Sequence, residues 1–208
     1  MARVPSSKRD IDILEERGLW KASSSLHQII KRLIRKNLPV EMRYIKEAHR
    51  IIFTTANQAG MAGKYRRDNP ELKRIDGSLL KMEHWSNIAN AMAELDMDLR
   101  ENSKHLKRPE TIKEYSEIIQ LAVRLSHRLA CIHPFENGNG RASRLLLNAI
   151  LLRAGLPEIA IRKKKSQYLR AMRQADDGDF SLFEKIVIDG IIESKERQYK
   201  MSLRKSTK

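Results

Sequence analysis

Cysteine, aromatic residues and long apolar runs are scarce in this chain of 208 residues. A single cysteine excludes an internal disulfide framework. No run of about 18 apolar residues occurs, so no segment is expected to span a bilayer. The N-terminal residues lack the apolar core of a secretory signal, and a cytoplasmic location is therefore expected. Aromatic residues make up only 5% of the chain, which leaves few rings for stacking on nucleic-acid bases.

Acidic residues are also few relative to basic ones. Lys and Arg number 41 against 26 Asp and Glu, a formal charge of +15 that favours polyanionic partners. The excess lies in three stretches, 28–50, 162–173 (including the Arg162–Lys165 cluster) and the tail 194–208. No helix-turn-helix, zinc or RNA-recognition signature accompanies them. The charge keeps a basic nucleic-acid-binding accessory protein as an alternative. Because these signatures are missing, nucleic acid is not expected as the main ligand.

Apolar spacing indicates helix almost everywhere and predicts an all-α fold. The first helical face begins at Leu26, behind a capping candidate at Ser23–Ser25, and Pro39 ends it. The helix that opens near Asn139 is apolar almost all round, so we expect it to be central. The other helices are expected near 41–53, 83–100, 111–131, 167–175 and from 181 into the basic tail.

The segment 60–80 breaks this rhythm. It contains three glycines, a proline and dense charge, and its Asp76-Gly77 step is typical of a turn. A loop or short β-hairpin is expected there.

Residues 132–144 have the composition of a phosphate-binding loop that leads into a helix. Glycines allow backbone N–H groups to approach an anion, and the first turn of a helix carries partial positive charge. Arg141 and Arg144 are three residues apart, so both can reach phosphate oxygens from the same side. His133 has a pKa range suited to taking a proton from a hydroxyl. Together they suggest attack of a hydroxyl on a bound phosphoryl group.

This window resembles the signature of the Fic family, His-Pro-Phe, two variable positions, then Gly-Asn-Gly-Arg and a second arginine. Eight fixed positions match: His133, Pro134, Phe135, Gly138, Asn139, Gly140, Arg141 and Arg144. The segment from Gly63 to Arg66 resembles the family's lead into its hairpin flap, and similarity continues through Leu152–Pro157, Tyr168–Ala171 and Asp177–Asp179. It covers about residues 40–190.

The resemblance implies a Fic-like helical bundle with a short β-hairpin flap at about 64–80. It divides the chain into an N-terminal extension (1–22), the Fic-like domain (23–193) and the basic tail (194–208).

As an activity the resemblance implies a protein adenylyltransferase, which transfers AMP from ATP to a Ser, Thr or Tyr hydroxyl of a target protein with Mg²⁺ or Mn²⁺. His133 would be the general base. The nucleotide would be held by the 138–144 loop and helix start, through Gly138, Asn139, Gly140, Arg141, Arg144 and also Tyr168. The flap would bind the target by adding it as a strand, through Tyr65, Arg66 and Arg67, although Arg66 and Arg67 are equally compatible with an ordinary solvated flap.

One departure concerns the metal. The family usually has an acid immediately before Gly-Asn-Gly, and here that position is Asn137, whose amide oxygen can ligate Mg²⁺ without contributing charge. Three alternatives follow: a transferase with weaker Mg²⁺ binding, one with a changed nucleotide or ion preference, or a catalytically impaired module.

A second departure concerns regulation. Many members are held inactive by a helix carrying Ser/Thr-x-x-x-Glu-Gly/Asn, whose glutamate pairs with the second motif arginine, here Arg144. The string is absent, and Ile13–Gly18 is only a loose candidate. Control by this helix, by a separate antitoxin-like protein or by neither remains open. The histidines other than His133 are expected to be structural or solvated. Cys131 is expected to be a small buried residue with no partner thiol, and no histidine lies at a zinc-finger spacing from it, so no structural metal is implied.

Overall fold

The computed structural model of the chain describes residues 8–73, 77–161 and 165–206. Within these ranges the chain forms seven α-helices, which confirms the all-α prediction. They are α1 (Lys8–Lys36), α2 (Met42–Thr55), α3 (Ile88–Lys104), α4 (Ile112–Ile132), α5 (Asn139–Arg153), α6 (Lys165–Asp176) and α7 (Ser181–Ser206). A 3-10 turn, Trp85–Asn87, precedes α3. None of the helices in the described ranges is both long enough and apolar enough to cross a membrane.

Helix α5 is the centre of the bundle, as its apolar sequence predicted. It packs against α1, α2 and α4. Side chains on all its faces are buried, namely Ala142, Leu145, Leu146, Leu147, Ala149, Ile150 and Leu151. A helix enclosed in this way holds its N-terminus in a fixed place, which matters because the motif loop leads into that end.

The two ends of α4 are defined by different local chemistry. At its start Thr111 and Glu114 form a capping box, in which each side chain accepts a hydrogen bond from the other residue's backbone N–H. At its end His133 is the C-cap residue and adopts a left-handed conformation with φ 51° and ψ 55°. That conformation is uncommon outside glycine and turns the chain sharply into the motif loop.

Helix α1 begins fifteen residues before the predicted cap at Ser23, so that prediction was wrong. The buried face of α1 continues upstream of Ser23 to Gly18, which lies against α2. A Cβ added at Gly18 would be 2.6 Å from the carbonyl oxygen of Ile52. The close crossing needs a residue without a side chain. The predicted domain limits at 22/23 and 193/194 both fall inside helices, α1 and α7.

The predicted β-hairpin flap is not confirmed, since the described residues contain no strand. The segment instead shows two isolated antiparallel bridges, Tyr65 with Phe135 and Lys73 with Leu79. The Leu80 N–H also donates to the Leu72 carbonyl at 2.7 Å. The first bridge joins the segment to the motif loop rather than to a second arm of its own. Residues 74–76 of the predicted flap lie outside the described residues.

Candidate active site

His133 is held at the end of α4 in a form suited to accept a proton. Its Nδ1 lies 3.3 Å from the carbonyl oxygen of Ala130. Because a carbonyl only accepts, Nδ1 carries the hydrogen and Nε2 keeps its lone pair. Burial lowers the pKa of His133; the Ala130 contact opposes this shift, and the nearby Arg66 adds to it. The imidazole is therefore neutral at neutral pH.

Arg66 holds the turn at His133 through hydrogen bonds to backbone carbonyls. Its side chain is buried, with 2% of the residue exposed. Its Nε donates to the His133 carbonyl at 2.7 Å, and its other nitrogens donate to backbone carbonyls of Ile132, Asp68 and Glu83 and to the Asn69 side chain. In this structure the guanidinium thus faces the motif turn and not the solvent. Burial lowers its pKa, and Asp68 and Glu83 oppose that shift.

The two neighbours of Arg66 that were also predicted to contact a target differ from it. Tyr65 is half-buried against Phe135, with ring centroids 5.8 Å apart, and the Lys46 ammonium lies 4.3 Å from its ring centroid. Burial raises the pKa of the Tyr65 hydroxyl. Arg67 is exposed. Of the three, Arg67 alone lies fully at the surface.

His49, on α2, was expected to be an ordinary structural histidine, yet it connects the motif loop to residue 63. Its Nδ1 accepts from the Gly63 N–H at 3.0 Å, and its Nε2 lies 2.9 Å from the Asn137 carbonyl oxygen. These partners require a neutral ring with the hydrogen on Nε2. Burial lowers the pKa of His49, as does Arg141, while the Asn137 contact opposes the shift. The ring also stacks on Phe135 at 3.8 Å.

The glycine-rich loop is fixed by two of its own residues. Gly138 has φ 79°, and a Cβ there would lie 2.6 Å from the Phe53 ring, so glycine is required on both counts. Asn139 is buried and holds Phe135 with two bonds: its Oδ1 accepts from the Phe135 N–H at 2.9 Å and its Nδ2 donates to the Phe135 carbonyl at 2.7 Å. The Asn139 side chain therefore shapes the loop, and the first turn of α5 presents its N–H groups at the loop's end.

The two motif arginines have different partners. The Arg141 Nη1 is 2.6 Å from Glu15 Oε2 of α1, and its guanidinium lies 4.8 Å from the Phe53 ring centroid. The Arg144 guanidinium lies 5.9 Å from the ring centroid of Tyr168 on α6. The structure thus places both arginines and Tyr168 around the first turn of α5. Burial raises the pKa of Tyr168, with Arg144 opposing.

Glu15 falls inside the loose regulatory candidate Ile13–Gly18, but its partner is the first motif arginine, whereas the family pattern pairs the glutamate with the second. The exposed fractions of the two side chains are 14% for Glu15 and 17% for Arg141. Sequence spacing could not find the pair, because the residues are 126 positions apart.

Asn137 offers little to a divalent ion in this arrangement. Its Oδ1 accepts from the Gly138 N–H at 2.7 Å, and its backbone oxygen accepts from His49. Mg²⁺ prefers carboxylate oxygens, whereas the motif's acid position holds an uncharged amide, and the Gly138 N–H already uses one of the two lone pairs of its oxygen. The donor set therefore does not fit a magnesium ion held by the protein. The Arg162 end of the basic cluster, residues 162–164, lies outside the described residues.

Comparison with known proteins gives a consistent family. The model of the Fic/DOC family matches residues 39–151, a little over half of the chain. A protein adenylyltransferase Fic from Nematostella vectensis is 30% identical over 178 residues, which are 84% of this chain and 38% of that protein. One from Drosophila mojavensis is 42% identical over 72 residues, 34% of this chain and 14% of that protein. The chain thus spans well under half the length of these relatives.

Solved structures show the same fold. Fic-1 from C. elegans has a TM-score of 0.71 at 21% identity, covering 99% of this chain and 56% of that one. A Fic-domain signalling protein from Bacteroides thetaiotaomicron has a TM-score of 0.67 at 24% identity, covering 87% and 70%. An ADP-bound Fic domain from Bartonella quintana has a TM-score of 0.56 at 20% identity, covering 84% and 85%.

Proposed function

Because the chain belongs to the Fic/DOC family, we propose that it is a protein adenylyltransferase that moves AMP from ATP to a Ser, Thr or Tyr hydroxyl of a target protein. The observation that carries this proposal is the state of His133. Its Nδ1 is engaged with Ala130, its Nε2 retains a lone pair, and the turn that holds it ends at the phosphate-binding start of α5. The adenylyltransferase names of the sequence relatives support the same activity.

The reaction follows from these positions. Nε2 of His133 takes the proton of the target hydroxyl while its oxygen attacks the α-phosphorus of ATP. The bond between the α-phosphorus and the bridging oxygen of the β-phosphate breaks, and pyrophosphate leaves with the bonding electrons. The first turn of α5 and the side chains of Arg141 and Arg144 hold the phosphate charge. Tyr168 packs near the adenine.

Two expected ligand roles take a modified form. Because Asn137 contributes no charge to a magnesium ion, the nucleotide phosphates would supply most of the ligands of such an ion, and no step above depends on it. Arg66 acts as a positioning residue for His133, while Tyr65 and Arg67 remain the proposed contacts for the target chain. The second candidate function is a transferase that prefers a nucleotide other than ATP, and the uncharged Asn137 favours it.

We further propose that Glu15 competes with the nucleotide. An arginine fork binds carboxylate and phosphate oxygens in the same way. The Glu15 carboxylate lies 2.6 Å from the Arg141 guanidinium, and both side chains are mostly buried. Phosphates must displace it, so α1 restrains the enzyme through the first motif arginine. A separate inhibitory protein is not required by this arrangement.

The activity is tested by labelling. ATP labelled at the α-phosphate is incubated with the protein and a cell lysate, and the same incubation is repeated with ATP labelled at the γ-phosphate. AMP transfer predicts that adding the protein produces new labelled lysate proteins with the α-label and none with the γ-label, and mass spectrometry should find AMP on a hydroxyl residue.

Two histidine variants separate catalysis from general damage. His133→Ala should abolish labelling, whereas His105→Ala, at the exposed end of α3, should label like the wild type. Absence of labelling with ATP, CTP, GTP and UTP across Mg²⁺ and Mn²⁺ would contradict the transferase proposal, and labelling only with another nucleotide would support the second candidate.

A further inference from the structure

A group of three side chains of the types that can ligate a metal ion lies between the C-terminal ends of α4 and α6 and plays no part in the proposed reaction. His127 and Cys131 are one turn apart on α4, and Asp176 is the last residue of α6. One ligand atom from each lies within 4.8 Å of the other two. No histidine lies at a zinc-finger spacing from Cys131, so the sequence implied no structural metal there; the third residue of this group is 45 positions from Cys131, beyond the reach of such spacings.

The distances within this group match a tetrahedral metal site. The Cys131 Sγ is 3.5 Å from His127 Nε2 and 3.7 Å from Asp176 Oδ1, and Nε2 and Oδ1 are 2.9 Å apart. Zinc bonds of about 2.3 Å to sulfur and about 2.0–2.2 Å to nitrogen and oxygen, at tetrahedral angles, place the ligand atoms about 3.4–3.6 Å apart. Only the histidine–aspartate distance is shorter, because those atoms share a hydrogen bond.

The types of ligand select the metal. Sulfur and imidazole ligands suit zinc and other soft or borderline ions, whereas magnesium prefers oxygen alone. Three protein ligands leave a fourth position for water. His127 is 8% exposed, while a quarter of the Asp176 side chain is exposed, so an ion can enter from the Asp176 side. We propose that His127, Cys131 and Asp176 form a zinc-binding site that fastens the end of α6 to α4.

Binding requires one rotation and releases one proton. The sulfur is nearly equidistant from the two ring nitrogens, 3.5 and 3.7 Å, so the His127 ring must turn to aim its Nε2 lone pair at the metal. The Nε2 hydrogen, now donated to Asp176, moves to Nδ1 in the other neutral tautomer. The thiol loses its proton to solvent as the Zn–S bond forms, and no electron transfer is involved.

The position of the site gives the metal a structural effect. Helix α6 packs mainly against α7, and it carries Tyr168, which lies over Arg144. Cys131 is two residues before His133. An ion at this place would couple α6 to the motif turn and stabilise the folded protein by mass action.

Cobalt provides a direct test, because cobalt bound to a thiolate gives a near-ultraviolet charge-transfer band and tetrahedral cobalt gives intense visible bands. Metal-free protein is titrated with Co²⁺ without nucleotide. The expected result is one equivalent bound with both sets of bands, and loss of the bands when Zn²⁺ is added. Cys131→Ser should remove the charge-transfer band.

Two aspartate variants provide matched controls. Asp176→Asn should weaken cobalt binding at least about tenfold, whereas Asp177→Asn, its exposed neighbour, should bind like the wild type. The absence of a charge-transfer band in the wild type, or equal affinities of the two aspartate variants, would overturn the site. No transfer is measured, so the outcome does not depend on the proposed adenylyltransferase activity.

Discussion

The motif turn (residues 133–141) and the flap segment (residues 64–80) adjoin each other but are built differently. In the motif turn, Asn139 holds Phe135 with two hydrogen bonds, His49 holds Asn137, and Gly138 fits against Phe53. Beyond Arg66, the described part of the flap segment has one isolated bridge and one further backbone hydrogen bond between its own arms.

This difference corresponds to the two proposed tasks. A site that stabilises charge in a transition state gains from donors fixed before the substrate arrives. A segment that adds a target chain as a strand needs backbone groups that are not committed to internal pairing. Arg66 belongs by sequence to the flap segment and by its contacts to the motif turn.

The largest expected effect is the difference in stability between variants of Arg66 and variants of Arg67. Arg66→Ala leaves four backbone carbonyls without their donor, three of them in buried or half-buried residues, and should lower the free energy of unfolding by about 4 kcal/mol. Arg66→Lys should rescue little, because one ammonium cannot reach the same carbonyls. Arg67→Ala should change stability by less than about 0.5 kcal/mol. Urea unfolding of the three variants measures these free energies. Similar losses of stability at positions 66 and 67 would contradict the difference between the motif turn and the flap segment.

The next effect tests the hydrogen bonds by which Asn139 holds the motif turn. Asn139→Asp keeps the acceptor for the Phe135 N–H but sets a second oxygen against the Phe135 carbonyl and buries a charge. It should cost about 3 kcal/mol. Asn137→Asp, in the exposed part of the same loop, should cost less than about 1 kcal/mol. Equal unfolding midpoints for these two isosteric changes would show that the Asn139 contacts do not hold the loop.

A smaller effect concerns pH. The pKa of His49 is lowered in the folded protein, so its stabilising contribution is complete above the ordinary value of about 6.5 and is lost as the pH falls toward the lowered value. The pKa of His133 is lowered as well, so its contribution to stability depends on pH in the same direction.

His49→Gln removes one of these two titrations. The variant should be less stable at pH 7, and its stability should fall less steeply between pH 7 and pH 5 than that of the wild type. Thermal unfolding at several pH values provides the comparison. Parallel curves for the two proteins would mean that His49 does not titrate on unfolding.

Much of the fold and part of the site could be predicted from the sequence. The central position of α5 followed from its apolar residues, and the motif placed His133, Arg141 and Arg144 in one short stretch. The start of α1 could not be predicted, since Ser23–Ser25 has the composition of a cap, while Gly18 marks a helix crossing that depends on α2. A helical run of serines and a cap look alike until the packing partner is known.

The contacts that were missed are all long-range. His49 gives no local signal, because its two bonds reach residues 14 and 88 positions away. Glu15 lay in a candidate segment, but which arginine it pairs with depends on how α1 crosses the bundle. Asp176 joins His127 and Cys131 only through the packing of α6. Spacing rules describe one helix at a time, and these sites are assembled from two or three.

The most direct measurement of the central claim is the rate of AMP incorporation from α-labelled ATP in a set of glutamate variants. Glu15→Gln frees Arg141 and should raise the rate about tenfold, the effect of about 1.4 kcal/mol of competition. The exposed neighbour Glu16→Gln should match the wild type, and Glu15→Gln combined with His133→Ala should incorporate nothing. Incorporation that persists in the double variant would contradict His133 as the base, and equal rates for Glu15→Gln and Glu16→Gln would contradict the restraint by α1.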